Sequence, residues 1–279
     1  MKLTPFLKIL RIPNLILLGI SVALGFWLSH SQAGFVNLFL LIIAAISCAG
    51  FGNVVNDSAD ISSDKISHPD RPLARGEISV LQAYVFAAGL ALISLACSFL
   101  VSVPHGIGVV VPLALLGLYA AFFKGTRLTG NVLVSILVAY GIIFGGLMAD
   151  GSNRLIIPAV LAFLLNLPRE IIKDIQDLRG DIAAGIMTSA MMPVKVIRAI
   201  ITGCGVDYVI LVFAPFILHQ FGVVYAVVCL AAVIPLHVLW FSLFCKPDWQ
   251  KTAGKISSLI KYEMLCGLCA LALDRLFIK

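Results

Sequence analysis

The chain has 279 residues, 61% of them hydrophobic and 12% charged, with a formal net charge of +6. A soluble domain carries about 25% charged residues, so a water-soluble enzyme is excluded. A transmembrane β-barrel is excluded as well, because its strands alternate apolar and polar residues over about ten positions, whereas the runs here are long and continuous.

A membrane span needs about 20 mostly apolar residues. Runs at 13–29, 36–57, 80–101, 106–123, 130–148, 155–175, 199–218, 222–244 and 257–277 predict nine transmembrane helices in one integral-membrane domain, 1–279. The first run is too long for a signal-peptide core and lacks a cleavage pattern, so it reads as a span. The second ends in Asn53, Asn56, Asp57, Asp60 and Asp64, and a charged connection follows at 58–79. The fourth ends near Tyr119, with Lys124 and Arg127 beyond it and Asn131 opening the fifth. The sixth runs into Arg169, Glu170, Lys173, Asp174, Asp177 and Asp181. Asp207 lies within the seventh span, where a charge is costly and often functional. His237 in the eighth reads as a hydrogen-bonded core residue. The seven cysteines sit mostly inside apolar runs and read as small buried hydrophobes. Cys266 and Cys269 lack the partners of a zinc site.

Basic residues choose one set of connections. Lys65, Arg71, Arg75, Lys124, Arg127, Arg179, Lys195, Arg198, Lys246, Lys251 and Lys255 fall in the longer ones, while Arg154, Arg275 and Lys279 lie opposite. Lys and Arg favour the cytoplasmic side. The N-terminus is therefore expected inside and the C-terminus outside, with both acidic clusters on the cytoplasmic face of the cell membrane. The net positive charge then reflects topology and contact with anionic lipid, not nucleic acid. No obligate protein partner is predicted.

The two acidic clusters share the spacing D-x-x-D-x-x-x-D. On a helix, steps of three and four keep side chains on one face, so each segment would project a row of carboxylates. Like charges this close repel, and near hydrocarbon they also lose hydration. A cation between the rows removes that cost. Asp and Asn oxygens are hard ligands suited to Mg²⁺, or Mn²⁺ as a substitute. Mg²⁺ takes one or two carboxylates and leaves other positions to water and substrate phosphates. Two rows thus suggest ions holding a diphosphate, with Arg71, Arg75, Lys124, Arg127, Arg169 and Lys173 as clamps on its oxygens. The location suits a substrate with a charged head and a hydrocarbon tail.

Asn56-Asp57-Ser58-Ala59-Asp60-Ile61-Ser62-Ser63-Asp64 resembles the N-D-x-x-D-x-x-x-D motif of the UbiA superfamily of intramembrane prenyltransferases. His68-Pro69-Asp70-Arg71-Pro72-Leu73 resembles the segment that follows it there. Asp177 and Asp181 match the second aspartate motif. Tyr119, Lys124, Gly130 and Asn131 resemble a Y-x(4)-K-x(5)-G-N segment, and Arg11 and Asn14 the opening of the first helix.

The resemblance implies helices bundled around a central cavity, with cytoplasmic cap segments between helices 2 and 3 and between helices 6 and 7. It implies Mg²⁺ held by Asn56, Asp60, Asp64, Asp177 and Asp181, supported by Asp57 and Asp174. Arg11, Asn14, Asn53, Arg71, Tyr119, Lys124, Arg127, Asn131, Arg169 and Lys173 would bind substrate. Phe122, Phe123, Tyr140 and Phe144 are candidates to steady an allylic cation. No residue is assigned as general base.

Within the superfamily, Arg169-Glu170-Ile171-Ile172-Lys173-Asp174-Ile175-Gln176-Asp177 with Gly180-Asp181 is most similar to one branch. Its members join a geranylgeranyl group to the sn-2 hydroxyl of geranylgeranylglyceryl phosphate. That branch often continues G-x-K-T-L-P, where this chain has Gly185-Ile186-Met187-Thr188-Ser189-Ala190. The expected substrates are a prenyl diphosphate and a lipid-like acceptor. A relative that prenylates an aromatic ring is the competing expectation. A cation transporter is more remote, because transport sites lie near the midplane and these acids cluster at one face.

Overall fold

The computed structural model describes residues 4–29, 34–120 and 125–277. Among these residues the fold is helical throughout and contains no strand. The helices are α1 Thr4–Ile9, α2 Ile12–Leu28, α3 Phe35–Ala59, α4 Ile61–Ser67, α5 Val80–Val101, α6 Val103–Leu118, α7 Thr129–Gly145, α8 Ile156–Ala184, α9 Val194–Leu211, α10 Ala214–Ile217, α11 Val223–Val228, α12 Ile234–Phe244 and α13 Ala253–Phe277. A π-helical turn, Cys229–Val233, joins α11 to α12.

Among the described residues six stretches are long and apolar enough to cross a membrane: Phe35–Ala59, Val80–Val101, Ser152–Ala184, Val194–Ile217, Val223–Phe244 and Trp249–Phe277. Ile12–Leu28, Val103–Leu118 and Thr129–Gly145 are apolar but shorter. Hydrocarbon forces this all-helical solution, because each backbone polar group must be satisfied inside its own segment. The outward surface is correspondingly apolar, with Leu81, Leu92 and Leu230 each more than 60% exposed.

The helices close a ring. α2 packs on α3 and α7, α7 on α8, α8 on α9 and α13, and α13 back on α2. α5 and α6 back α3 on one side. The α8–α13 half holds a large core that includes Trp240, Phe244 and Trp249. The opposite half is packed around Leu41, Val109 and Phe144. Two polar groups inside the core are fully answered. His237 Nδ1 lies 2.9 Å from Glu263 Oε1, and Trp240 Nε1 donates to Glu263 Oε2 at 2.6 Å. His237 is thus the satisfied core residue expected. Asp207 lies on the exposed face of α9 and does not line the central cavity. Among the described residues all seven cysteines are free.

Two boundaries differ from expectation for identifiable reasons. The sixth span continues as helix α8 to Ala184, well past 175. Arg169, Glu170, Lys173, Gln176 and Arg179 are good helix formers, and the helix runs through Gly180 to Gly185, which adopts the left-handed φ of +69° that ends helices. The first acidic row is not one helical face. α3 ends at Asp60, whose φ of −95° and ψ of 4° turn the chain into α4. Asp57 and Asp64 therefore belong to different helices, whereas Glu170, Asp174, Asp177 and Asp181 share α8.

Candidate active site

A cavity of about 350 Å³ opens among α2, α3, α6, α7, α8 and α13. Its inner end is apolar, lined by Leu18, Ala45, Val109, Val138 and Leu268 with the rings of Tyr140 and Phe144. Its other end is charged. Asn56, Asp60 and Asp64 reach it from α3 and α4, and Asp174, Asp177 and Asp181 from α8. The two acidic rows, distant in sequence, thus border one space.

α4 is tied to α8 by a set of short bonds. Ser63 Oγ donates to Asp181 Oδ1 at 2.7 Å, and Ser67 Oγ donates to the Asp177 carbonyl at 3.1 Å. His68 Nε2 lies 2.7 Å from Asp177 Oδ1. Gly180 makes this approach possible. A β-carbon there would lie 2.2 Å from Ser67 Oγ and 2.5 Å from the Ser63 carbonyl oxygen. We expect Gly180→Val to lever α4 off α8 and lower turnover about a hundred-fold, the scale of an ångström-sized misplacement. The melting temperature of the bundle should change little. Wild-type rates from a folded Gly180→Val protein would show that this contact does not position the rows.

Arginines answer the first row. Asp57 is buried and does not line the cavity. Its Oδ1 accepts from Arg11 Nη2 at 2.5 Å and lies 3.6 Å from Arg71 Nη1. Arg71 Nη1 also donates to Asp64 Oδ1 at 2.6 Å. Burial pushes the Asp64 carboxyl up, against the lowering pull of Arg71. Arg11 is held in the left-handed region, φ 56° and ψ 53°, between α1 and α2. That conformation is costly for a non-glycine residue. Asn53 stabilises the kink by donating from Nδ2 to the Leu10 carbonyl at 2.8 Å. Asn56 Nδ2 donates to Asp60 Oδ2 at 2.9 Å.

On α8, Asp174 Oδ2 accepts from Asn131 Nδ2 at 2.9 Å and from Ser189 Oγ at 2.5 Å. Ser189 stands where the resembling branch has another residue, and here it helps to fix that carboxylate. Glu170 accepts from Arg169 Nη1 at 2.9 Å and from Lys173 Nζ at 2.7 Å. Tyr119 sits among the rows and feels the charges of Asp174, Asp60, Glu170 and Asp181. Its ring fills the space a side chain at Gly130 would need.

Arg11, Asn14, Asn53, Arg71, Tyr119, Arg127, Asn131, Arg169 and Lys173 all line the cavity. Arg75 does not, and pairs with Glu77 at 3.2 Å. Lys124, Phe122 and Phe123 lie outside the described residues. Lys261 was missed in the sequence. Its Nζ reaches across from α13 to Asn14 Oδ1 at 3.0 Å. The signal was an ionisable residue inside an apolar run.

The donors fit a hard divalent cation, being carboxylate and amide oxygens. Among the described residues no three carboxylates, histidines or cysteines cluster closely enough to hold an ion by themselves. That suits Mg²⁺, which commonly takes one or two carboxylates and fills its remaining positions with water and substrate phosphate.

A model of the UbiA prenyltransferase family matches residues 18–259. A digeranylgeranylglyceryl phosphate synthase of Methanosphaera stadtmanae is 29% identical, over 98% of this chain and 100% of its own length. A solved structure concerning digeranylgeranylglyceryl phosphate synthase superposes with a TM-score of 0.79 at 28% identity, over 99% of each chain. A UbiA homologue from Archaeoglobus fulgidus, solved with DMAPP and Mg²⁺, shares the fold at a TM-score of 0.72 and 18% identity, over 94% of this chain and 98% of that one. A family model that covers most of the chain, over a cavity bordered by two aspartate rows, makes this multi-pass membrane protein a member of the UbiA prenyltransferase family.

Proposed function

We propose that this chain transfers a geranylgeranyl group from geranylgeranyl diphosphate to the sn-2 hydroxyl of geranylgeranylglyceryl phosphate, releasing diphosphate. The observation that carries the reading is the cavity itself, with two carboxylate rows and a set of bases at one end and an apolar chamber at the other. The full-length similarity to digeranylgeranylglyceryl phosphate synthases favours this acceptor over an aromatic one.

Asn56, Asp60, Asp64, Asp177 and Asp181 would hold Mg²⁺, which neutralises the diphosphate when bound. Asp57 acts one step back, by anchoring Arg11 and Arg71. Asp174, fixed by Asn131 and Ser189, supports the second row. Arg71, beside Asp64, draws charge off the leaving diphosphate. The acceptor oxygen forms its bond to the prenyl C1 as the C1–O bond to diphosphate breaks, and the hydroxyl proton is released. The apolar chamber keeps water from the allylic centre, with Tyr140 and Phe144 presenting ring faces.

In this reading the three shorter apolar helices α2, α6 and α7 also span the membrane, which makes nine spans. The segments 60–79 and 185–193 cap the cavity's charged mouth. The bias of Lys and Arg supports a cytoplasmic mouth, with the N-terminus inside and the C-terminus outside.

Purified protein with Mg²⁺ and labelled geranylgeranyl diphosphate tests the acceptor. Geranylgeranylglyceryl phosphate should be consumed and 4-hydroxybenzoate left untouched. The opposite preference would keep the family and overturn the acceptor.

A further inference from the structure

One corner of the cavity carries three cations: Arg169 and Lys173 on α8, and Lys261 on α13. A single carboxylate, Glu170, answers the first two. The next acid along α8, Asp174, is taken up by Asn131 and Ser189. Lys261 hydrogen-bonds to a neutral amide, Asn14 Oδ1, and among the described residues forms no ion pair. The charges of Arg169 and Lys173 act directly on it. Arg169 Nε is buried with no hydrogen-bond partner among the described residues, and a buried donor is costly to leave unmade. Asn131 and Ser189 are neutral donors, so Asp174 keeps its charge, and three cations against Glu170 and Asp174 leave this corner one charge positive.

This corner differs in kind from the rows. An anion reaches Asp60, Asp64, Asp177 and Asp181 only if cations lie between. It reaches Lys261, Arg169 and Lys173 directly. A phosphate monoester carries a charge of about −1.5 to −2 at neutral pH, so the positive surplus of this corner attracts it. α2 and α13 pack together here, so Asn14 holds the Lys261 ammonium at the cavity wall in advance of any ligand.

We propose that Lys261, with Arg169 and Lys173, forms a second, metal-independent anion site that takes the phosphate monoester of the lipid acceptor. Lys261 then determines specificity for a phosphorylated acceptor. The proposal rests on the acceptor reading above. It divides the cavity between a diphosphate held through Mg²⁺ and a monophosphate held by side chains alone.

Equilibrium binding to the full-length protein in detergent tests it. The probes are geranylgeranylglyceryl phosphate, its dephosphorylated alcohol and geranylgeranyl diphosphate, each with Mg²⁺ and with EDTA. The phosphorylated acceptor should bind in EDTA, and glycerol phosphate should displace it where glycerol does not. Lys261→Gln should weaken it about ten-fold or more, the usual effect of losing a hydrogen bond to a charged group, and Lys261→Arg should restore most of the loss. The alcohol and the diphosphate should bind Lys261→Gln as they bind the wild type, and the acceptor KM should rise with kcat little changed. Loss of acceptor binding in EDTA would overturn the proposal, as would unchanged affinity in Lys261→Gln or an equal fall for the diphosphate. The wild-type EDTA and competition arms decide the matter even if a variant fails to fold. If the phosphorylated acceptor binds as described but is never prenylated, the anion site stands and the acceptor reading falls.

Discussion

Alanine at Asp60 or at Asp181 should lower prenyl transfer by at least about a hundred-fold and leave the protein folded. The two residues stand on opposite walls of the cavity, one at the α3–α4 turn and one near the end of α8. Loss of a group that merely supports a metal ligand costs ten- to a hundred-fold, and loss of a ligand should cost more. The fold should survive, because removing one of several carboxylates in a row relieves like-charge repulsion. The check is steady-state turnover with saturating Mg²⁺ beside a thermal melt. A folded, metal-saturated Asp181→Ala protein with wild-type turnover would remove Asp181 from the site.

Asp57→Ala should act on stability instead, costing about 3 kcal/mol. The carboxylate is buried at 3% side-chain exposure between Arg11 and Arg71, whose side chains are 24% and 23% exposed. Removing it strands two partly buried guanidinium groups. Breaking a buried pair costs about 3–5 kcal/mol, and the partial hydration of both arginines places this case at the lower end. Arg71 keeps Asp64 as a partner, so Arg11 carries most of the loss. Asp57→Asn should be milder, because the amide oxygen still accepts one bond. Chemical denaturation of the three proteins in detergent ranks them. Equal stability of all three would mean that the arginines find other partners.

Much of this architecture was legible in the sequence because hydrocarbon leaves few choices. A run of apolar residues in a membrane becomes a helix, and the predicted runs fall on the observed helices with shifted ends. The second acidic row was legible for the same reason, since Arg169 to Asp181 contains no proline and its one glycine, Gly180, is accommodated inside α8. The first row was misread in geometry. Its spacing fits one helical face, but Asp60 adopts a turn conformation, and the Asn, Asp and Ser residues of Asn56–Asp64, which favour caps and turns over helix interiors, were the signal of that break. Asp57, inside α3, is buried behind the wall rather than on it. Lys261 was invisible to spacing because its partner Asn14 lies 247 residues away. Ser63, His68 and Ser189 were hidden likewise, since their importance lies in contacts between α8 and the segments packed on it.

The most direct measurement of the central claim is manganese binding by electron paramagnetic resonance, with and without diphosphate, in the wild type, Asp60→Ala and Asp181→Ala. If the two rows hold one ion-bridged diphosphate, diphosphate should strengthen Mn²⁺ binding in the wild type, and either substitution alone should abolish that strengthening. Diphosphate-enhanced binding that persists unchanged in either variant would show that the rows do not act together, and would contradict the account.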